Sequence, residues 1–356
     1  MPLSHTKYSR LTLNGTPMER EQLLQMAGSV KEHPDPPKWE SALFGFIREW
    51  LHPSEYLKVT TSGSTGRPKT IEISKSAMLK SAFNTLDFFG LSPGKHALLC
   101  LSCEYIAGKM MVVRAFAGNL DLVTVPVSGR PLKNLTRPVD FAALTPLQMS
   151  QELQQQSDHL QFLKNVILGG SPTGPELSSA LQDQPFAAWE TYGMTETLSH
   201  IALRRINGPS ASPYFKPLKD VRLSTDERGC LVVDLPGVTR GPVVTNDIAE
   251  LNEDGRFRIK GRSDNIINTG GIKVVPEEIE RQISHFFKKP FFVSSLPHPV
   301  LGRELVLITE EFPTGEKELL EKIKKIVPPY HAPKQIIVKE SLPRTETGKI
   351  IRRPEE

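Results

Sequence analysis

The sequence predicts an α/β protein of two domains. Residues 1–262 are expected to form a large domain of layered, mostly parallel sheets with helices, and residues 263–356 a small α+β domain. Three observations predict this. From about residue 56 to 192, short β-branched or apolar runs alternate with stretches of helical period, the pattern of successive βαβ units. After Arg262 the alternation stops, and a segment opening Pro276-Glu-Glu leads into two strand-like runs around one helix. The length, 356 residues, exceeds one ordinary domain and leaves ample chain for a core.

The expected strands of the first domain are Leu57–Thr60, Ala97–Ser102, Leu120–Val127, Phe141–Leu144, Val166–Leu168 and Trp189–Tyr192. Between the first two lies a helix, Ser76–Phe89, with apolar residues at Leu79, Phe83, Leu86 and Phe89 and Gly90 placed to cap its end. In the second domain Pro276–Phe287 reads as a helix, because proline's fixed φ suits the first turn and the two glutamates suit the helix dipole. Leu305–Ile308 and Gln335–Lys339 read as strands flanking a helix at Lys317–Ile326, and the domain boundary is expected near Gly261–Asn265. The first 55 residues hold Pro34, Pro36, Pro37 and one helical run around Ala42–Trp50, with no pattern that carries chemistry. There is no internal repeat.

Composition narrows the function. A hydrophobic fraction of 38%, 24% charged residues and 16 phenylalanines describe a soluble globular chain. No apolar run reaches the roughly 18 residues that span a bilayer. The opening Met1-Pro-Leu-Ser-His-Thr-Lys-Tyr8 lacks an apolar signal core, so a cytoplasmic location is expected. The net charge of +4 is spread among 40 acidic residues and forms no basic block, so no nucleic-acid partner is expected. Cys100-Leu-Ser-Cys103 invites a redox or zinc reading, but no second Cys/His pair is spaced to complete a zinc site. On a buried strand the two thiols would face opposite ways.

The segment richest in chemistry is Thr61-Ser-Gly-Ser-Thr-Gly-Arg-Pro-Lys69, which follows an expected strand. Thr61, Ser62, Ser64 and Thr65 bring hydroxyls, Gly63 and Gly66 free backbone amides to ring a phosphate, and Lys69 can neutralise it. It is not a Walker loop, since two residues instead of four separate the glycines and Pro68 precedes the lysine. Alone, a polar hairpin turn before Thr70–Ser74 is the lesser alternative. Further motifs follow in order: Gly169-Gly-Ser-Pro172, Thr191-Tyr-Gly-Met-Thr-Glu-Thr197, Asn246-Asp247, Gly261-Arg-Ser-Asp264, Gly270-Gly271 with Pro276-Glu-Glu-Ile279, and Pro343-Arg-Thr-Glu-Thr-Gly-Lys349.

With these motifs, over roughly residues 57 to 353, the chain resembles the adenylate-forming superfamily of acyl- and aryl-CoA ligases, luciferases and peptide-synthetase adenylation domains. The resemblance implies ATP, Mg²⁺ and coenzyme A as cofactor and co-substrates, a carboxylic acid as substrate, and a small C-terminal domain that is mobile. It implies that Thr61–Lys69 grips the ATP phosphates, that Glu196 holds Mg²⁺, and that Thr195 contacts the phosphate or acyl oxygen. Tyr192 and Gly193 would flank adenine, with Gly169, Gly170 and Ser171 closing the other side; a plain strand-end turn also accounts for those glycines. Asp247 would accept from the ribose hydroxyls and Arg262 reach the ribose or a phosphate, unless the two serve only as surface ion pairs. Asp264 would be the hinge, or a simple turn aspartate. Lys349, by position an exposed tail lysine, would by resemblance bridge the acyl carboxylate and the AMP oxygen during adenylation. Gly270 and Gly271 would line a pantetheine tunnel, and a tight turn there is compatible with that role.

The acid is suggested by Leu101–Gly118, where Arg114 lies in an otherwise apolar helical run. A guanidinium there needs an anionic partner, either the second carboxylate of a diacid or an internal acid such as Glu104. The arrangement resembles the o-succinylbenzoate–CoA ligases of menaquinone biosynthesis, in which a matching arginine holds a substrate carboxylate. Tyr105, Ser199 and His200 would then border the acyl pocket. The chain departs from that family at Glu104-Tyr105, where an aromatic-His pair is usual, and in having only 60 residues before the phosphate loop, a shortened front. Two other readings are a stand-alone adenylation protein loading a carrier-protein pantetheine arm and an inactive nucleotide-binding relic.

Overall fold

A computed structural model describes residues 4–60, 70–310, 315–344 and 350–352. The chain divides into two compact units, Met1–Arg222 with Asp234–Val243, and Leu223–Val233 with Val244–Glu356.

The first unit opens with a hairpin, β1 (Leu11–Leu13) and β2 (Thr16–Met18), then two helices, α1 (Arg20–Glu32) and α2 (Lys38–Leu51). Next come β3 (Tyr56–Thr60), β4 (Thr70–Ser74) and α3 (Lys75–Phe89). The α3 N-terminus is capped by the Ser74 hydroxyl, which accepts from Ala77 N at 3.2 Å, and Gly90 ends it at φ +60°. Strand and helix then alternate through β5 (His96–Leu99), α4 (Ile106–Gly118), β6 (Asp121–Thr124), β7 (Val139–Leu144), α5 (Pro146–Gln154), β8 (Leu163–Leu168), α6 (Pro175–Ala180) and β9 (Ala187–Gly193). The unit's sheet ends with β10 (His200–Arg205) and β11 (Lys216–Pro217).

Nine of these strands form one sheet in the order β11-β10-β9-β8-β7-β5-β6-β1-β2. The run from β1 to β9 is parallel, and only β2, β10 and β11 run antiparallel to their neighbours. Period-two burial supplies a core on each face. Ala97, Leu99, Phe141 and Ile167 pack with α2, α3 and α4 on one side, whereas Leu98, Ala142, Val166 and Leu168 pack with Met149 and Leu177 on the other. Cys100 and Cys103 fall in these opposite cores, unbonded, with burial raising both thiols to about 12. That is inert packing, as the strand periodicity implied.

One expectation needs correction. β3 and β4 do not join the parallel sheet; they pair only with each other, Thr60 opposite Thr70. Nine intervening residues suit an antiparallel hairpin, whereas a parallel crossover needs about a dozen or more. The first 55 residues contribute to the fold of this unit. β1 extends the sheet beside β6, and Phe44, Phe46, Ile47 and Trp50 of α2 fill the core.

The second unit contains a four-stranded sheet, β12 (Arg222–Thr225), β13 (Cys230–Asp234), β14 (Val243–Leu251) and β15 (Phe257–Arg262), in that order. A hairpin follows, β16 (Ile267–Thr269) and β17 (Ile272–Val274), then α7 (Pro276–Ile283). A three-stranded sheet of β18 (Phe291–His298), β19 (Gly302–Thr309) and β20 (Gln335–Val338) carries α8 (Glu316–Ile326). Val274, Ile279, Ile283, Leu307, Leu319 and Ile323 centre its core. The second compact unit thus takes in Leu223–Val233 and everything from Val244 onward, so β14 and β15 group with the residues after 262. β15 packs on α7: Arg281 donates to the carbonyls of Ile259 and Lys260, and a Cβ at Gly261 would lie 2.4 Å from Val275 Cγ1. No helix of the described residues is long and apolar enough to cross a membrane.

Candidate active site

Arg114 sits on α4, 2% exposed, where the sequence places it among apolar neighbours. Its Nη2 donates to Ser199 Oγ at 2.7 Å; Nη1 meets only Met111 Sδ at 3.6 Å, and the carbon between them lies 6.0 Å from the Phe141 ring centre. Nε is buried with no partner. Among the described residues no carboxylate pairs with Arg114; Glu104, the alternative partner, is exposed and accepts from Ser102. Burial alone brings the guanidinium down to about 9, so it stays cationic at neutral pH. This leaves a buried charge with unmet hydrogen-bonding capacity.

Ser199 Oγ also lies 3.3 Å from His200 Nδ1, and His200 Nε2 lies 3.1 Å from Thr85 Oγ1 on α3. Burial first, and then the charge of Arg114, holds the imidazole well below its usual 6.5. Ser199 is presented by a constrained turn. The Thr197 hydroxyl donates to Met194 O and Ser199 O, and Leu198, 3% exposed, takes φ +66°. Such backbone costs on the order of 1–3 kcal/mol and persists where surrounding contacts over-determine it. Tyr105 is not brought to this cluster. It caps the start of α4 with its side chain exposed, nine residues and so about 13 Å along the axis from Arg114.

The Gly169, Gly170 and Ser171 loop follows β8, and Tyr192 and Gly193 end β9, at the carboxyl ends of parallel strands where α/β sheets bind ligands. Gly169 and Gly193 leave no room for a side chain, and Gly170 takes φ +93°. A Cβ at Gly169 would lie 2.5 Å from Thr191 Oγ1, and one at Gly193 2.3 Å from Ser199 O. Tyr192 has its ring 5.9 Å from that of Phe215. Thr195 and Glu196 follow in a short 3₁₀ turn, Thr195–Thr197, with Glu196 exposed, which sets aside a buried structural role. Among the described residues no three His, Cys, Asp or Glu side chains cluster to hold a metal. A single free carboxylate suits Mg²⁺, which keeps waters and substrate phosphates as its other ligands. Sequence reading missed Glu190, which is buried and accepts from Thr173 N at 2.9 Å and from Arg204, tying the loop after β8 to β9 and β10. It also missed Thr85. The available signal was a polar stripe, Ser81, Asn84 and Thr85, on the buried side of an otherwise apolar helix.

In the second unit, Asp247 and Arg262 stand opposite each other on β14 and β15, and Arg262 Nη1 donates to Asp247 Oδ1 at 3.1 Å. Arg262 Nη2 donates to Asp264 Oδ2 at 2.8 Å, and Asn246 Nδ2 to both Asp264 oxygens at 3.2 Å. The Arg262 hydrogen bond is the chief influence lowering the Asp264 carboxyl pKa. Gly270 and Gly271 form the two-residue turn of the β16–β17 hairpin at φ +57° and +87°. Thr61, Ser62, Gly63, Ser64, Thr65, Gly66 and Lys69 lie outside the described residues, as does Lys349.

The model of one protein family, described as AMP-binding enzyme, matches residues 11–241. The chain belongs to that family. The 2-succinylbenzoate–CoA ligase of Salmonella typhimurium is 30% identical over 264 residues, 70% of this chain and 57% of that enzyme. The enzyme of the same name from Bacillus anthracis is 24% identical over 330 residues, 83% of this chain and 68% of the relative. The chain therefore spans less than two thirds of the Salmonella enzyme's length. Among solved structures, an acyl-CoA synthetase (AMP-forming)/AMP-acid ligase II-like protein from Dyadobacter fermentans is 34% identical, with TM-score 0.63, covering 91% of this chain and 95% of that one. The Bacillus subtilis o-succinylbenzoate coenzyme A synthetase, in complex with ATP and magnesium, shares the fold at 17% identity and TM-score 0.75, covering 97% and 96%.

Proposed function

We propose that this chain activates a dicarboxylic acid, o-succinylbenzoate, as its acyl adenylate and passes the acyl group to coenzyme A. The observation that carries the substrate is Arg114, a buried guanidinium with no carboxylate partner among the described residues. Membership of the AMP-binding family and the names of its relatives support the reaction class.

A carboxylate oxygen attacks the α-phosphorus of ATP and pyrophosphate leaves; a thiol then attacks the acyl carbon and AMP leaves. The first step gathers negative charge. Thr61–Lys69 is assigned the grip on the phosphates, Lys349 the stabilisation of charge on the reacting oxygens, and Thr195 a contact to the phosphate or acyl oxygen. Glu196 would hold Mg²⁺, whose chemistry when bound is to offset phosphate charge. Tyr192, Gly193 and Gly169–Ser171 are assigned to adenine, Asp247 and Arg262 to the ribose, Asp264 to the hinge of a mobile C-terminal domain beginning at residue 263, and Gly270-Gly271 to the pantetheine. Three buried free thiols suit the reducing cytoplasm, where we place the reaction.

The test is ATP–pyrophosphate exchange across aromatic mono- and diacids, followed by detection of the CoA thioester. Exchange stimulated by o-succinylbenzoate with thioester formed from free CoA is expected; exchange without thioester would point instead to a carrier-protein acceptor. Lys349→Ala should abolish exchange yet still form thioester from supplied acyl adenylate, and unchanged exchange would remove the lysine from its role.

A further inference from the structure

We propose that Thr85 and His200 form a positioning relay that fixes the proton order of the acyl site and so aims Ser199 and Arg114 at the second carboxylate of the diacid. The inference rests on the diacid reading above and adds Thr85, a residue that touches neither Arg114 nor Ser199 directly.

The chain of contacts runs Arg114 Nη2 to Ser199 Oγ at 2.7 Å, Ser199 Oγ to His200 Nδ1 at 3.3 Å, His200 Nε2 to Thr85 Oγ1 at 3.1 Å, and Thr85 Oγ1 to Ser81 O at 3.3 Å. Arginine only donates and a carbonyl only accepts, so both ends are set. Each hydroxyl carries one proton and a neutral imidazole carries one. One order alone gives every hydroxyl and imidazole proton of the chain an acceptor among the described residues. Thr85 donates to the Ser81 carbonyl, His200 donates from Nε2 to Thr85, Ser199 donates to the bare Nδ1, and Arg114 donates to Ser199. In the reverse order the Ser199 proton has no acceptor, an unmade bond in a part-buried site.

The relay occupies one proton of Nη2 and leaves Nε, most of Nη1 and the second Nη2 proton unsatisfied. A carboxylate takes an edge that pairs that Nη2 proton with Nε or with Nη1 in two parallel hydrogen bonds, so the fixed orientation selects a second carboxylate over a neutral substituent. A protonated His200 would turn Nδ1 into a donor and set a second cation beside Arg114. Burial and the arginine's charge both oppose this. Thr85 is 0% exposed, out of reach of bulk water.

The experiment has two arms. Nitrogen-15 NMR of histidine-labelled protein at neutral pH should find His200 protonated on Nε2 and bare on Nδ1; a proton on Nδ1 overturns the relay whatever the substrate. In the second arm Thr85→Val, of matching shape, should raise KM for o-succinylbenzoate by about tenfold, the size of one hydrogen bond to a charged network. The KM for ATP should not move with it, and Thr85→Ser should restore the wild-type KM. If KM stays unchanged in Thr85→Val while Arg114→Ala raises it, the relay fails and the diacid reading survives. If Arg114→Ala also leaves o-succinylbenzoate turnover unchanged, the diacid reading fails. Should the valine variant not fold, the serine variant and the wild-type tautomer decide.

Discussion

Two charged clusters in this molecule handle arginine in opposite ways. Around Arg114 the cation is buried, its neighbours are neutral, and its hydrogen bonds run to a hydroxyl and a thioether. Around Arg262 the cation is 41% exposed and binds two carboxylates, Asp247 and Asp264, in reach of water. A half-solvated ion pair is worth roughly 0–1 kcal/mol, so its partners can be exchanged for ligand hydroxyls at little cost. A buried cation without a counter-ion is maintained against its own desolvation, and its affinity for an incoming anion is correspondingly large. The difference teaches where specificity and where adaptability are built. Under the function proposed above, the acid would be selected at a buried, unsatisfied group, and the nucleotide would be met by groups that already have replaceable partners.

The comparison can be broken at its strong end first. Arg114→Ala should lower kcat/KM for o-succinylbenzoate by about 2 to 4 kcal/mol in barrier terms, measured by steady-state turnover, and should leave monoacids far less affected. Asp247→Asn should raise KM for ATP by about tenfold, the loss of one charged acceptor, with the diacid KM unchanged; a shift in the diacid KM instead would mean that the two clusters are not independent.

Acid titration of stability separates the same two regions. His200 has a depressed pKa in the fold, so below its usual 6.5 the unfolded chain takes up a proton that the native imidazole refuses. Stability therefore falls as pH drops below 6.5, and urea unfolding should find a shallower fall in His200→Asn. The slope will not vanish, because burial and Lys75 lower His5 in the same sense. Asp264 is a depressed carboxyl, so its contribution is present above the usual 3.8 and is lost as pH falls through its lower native value. Asp264→Asn should cost less than about 1 kcal/mol at neutral pH, and that small difference should disappear only below pH 3.8.

Much of the architecture was legible beforehand because it rests on local rules. The strands at Phe141–Leu144 and Val166–Leu168 and the helix ending at Gly90 follow from periodicity and one cap. The strands just inside the sheet's edges did not announce themselves: β1 is three residues long, and β10 joins by pairing antiparallel to β9. Nor did the hairpin of β3 and β4, since an isolated apolar run does not state its partner.

What the sequence determined by itself is the class of chemistry. Ordered short motifs fix which functional groups are present, and those groups, glycine amides, hydroxyls, a carboxylate and a lysine, are local in kind. What only the tertiary structure decided is their satisfaction. Arg114 and Glu104 are close in sequence but unpaired, whereas Arg114, Ser199, His200 and Thr85 come from three separate segments and share one chain of hydrogen bonds. Burial and partner choice depend on every element that packs around a side chain, and no spacing along the chain encodes that.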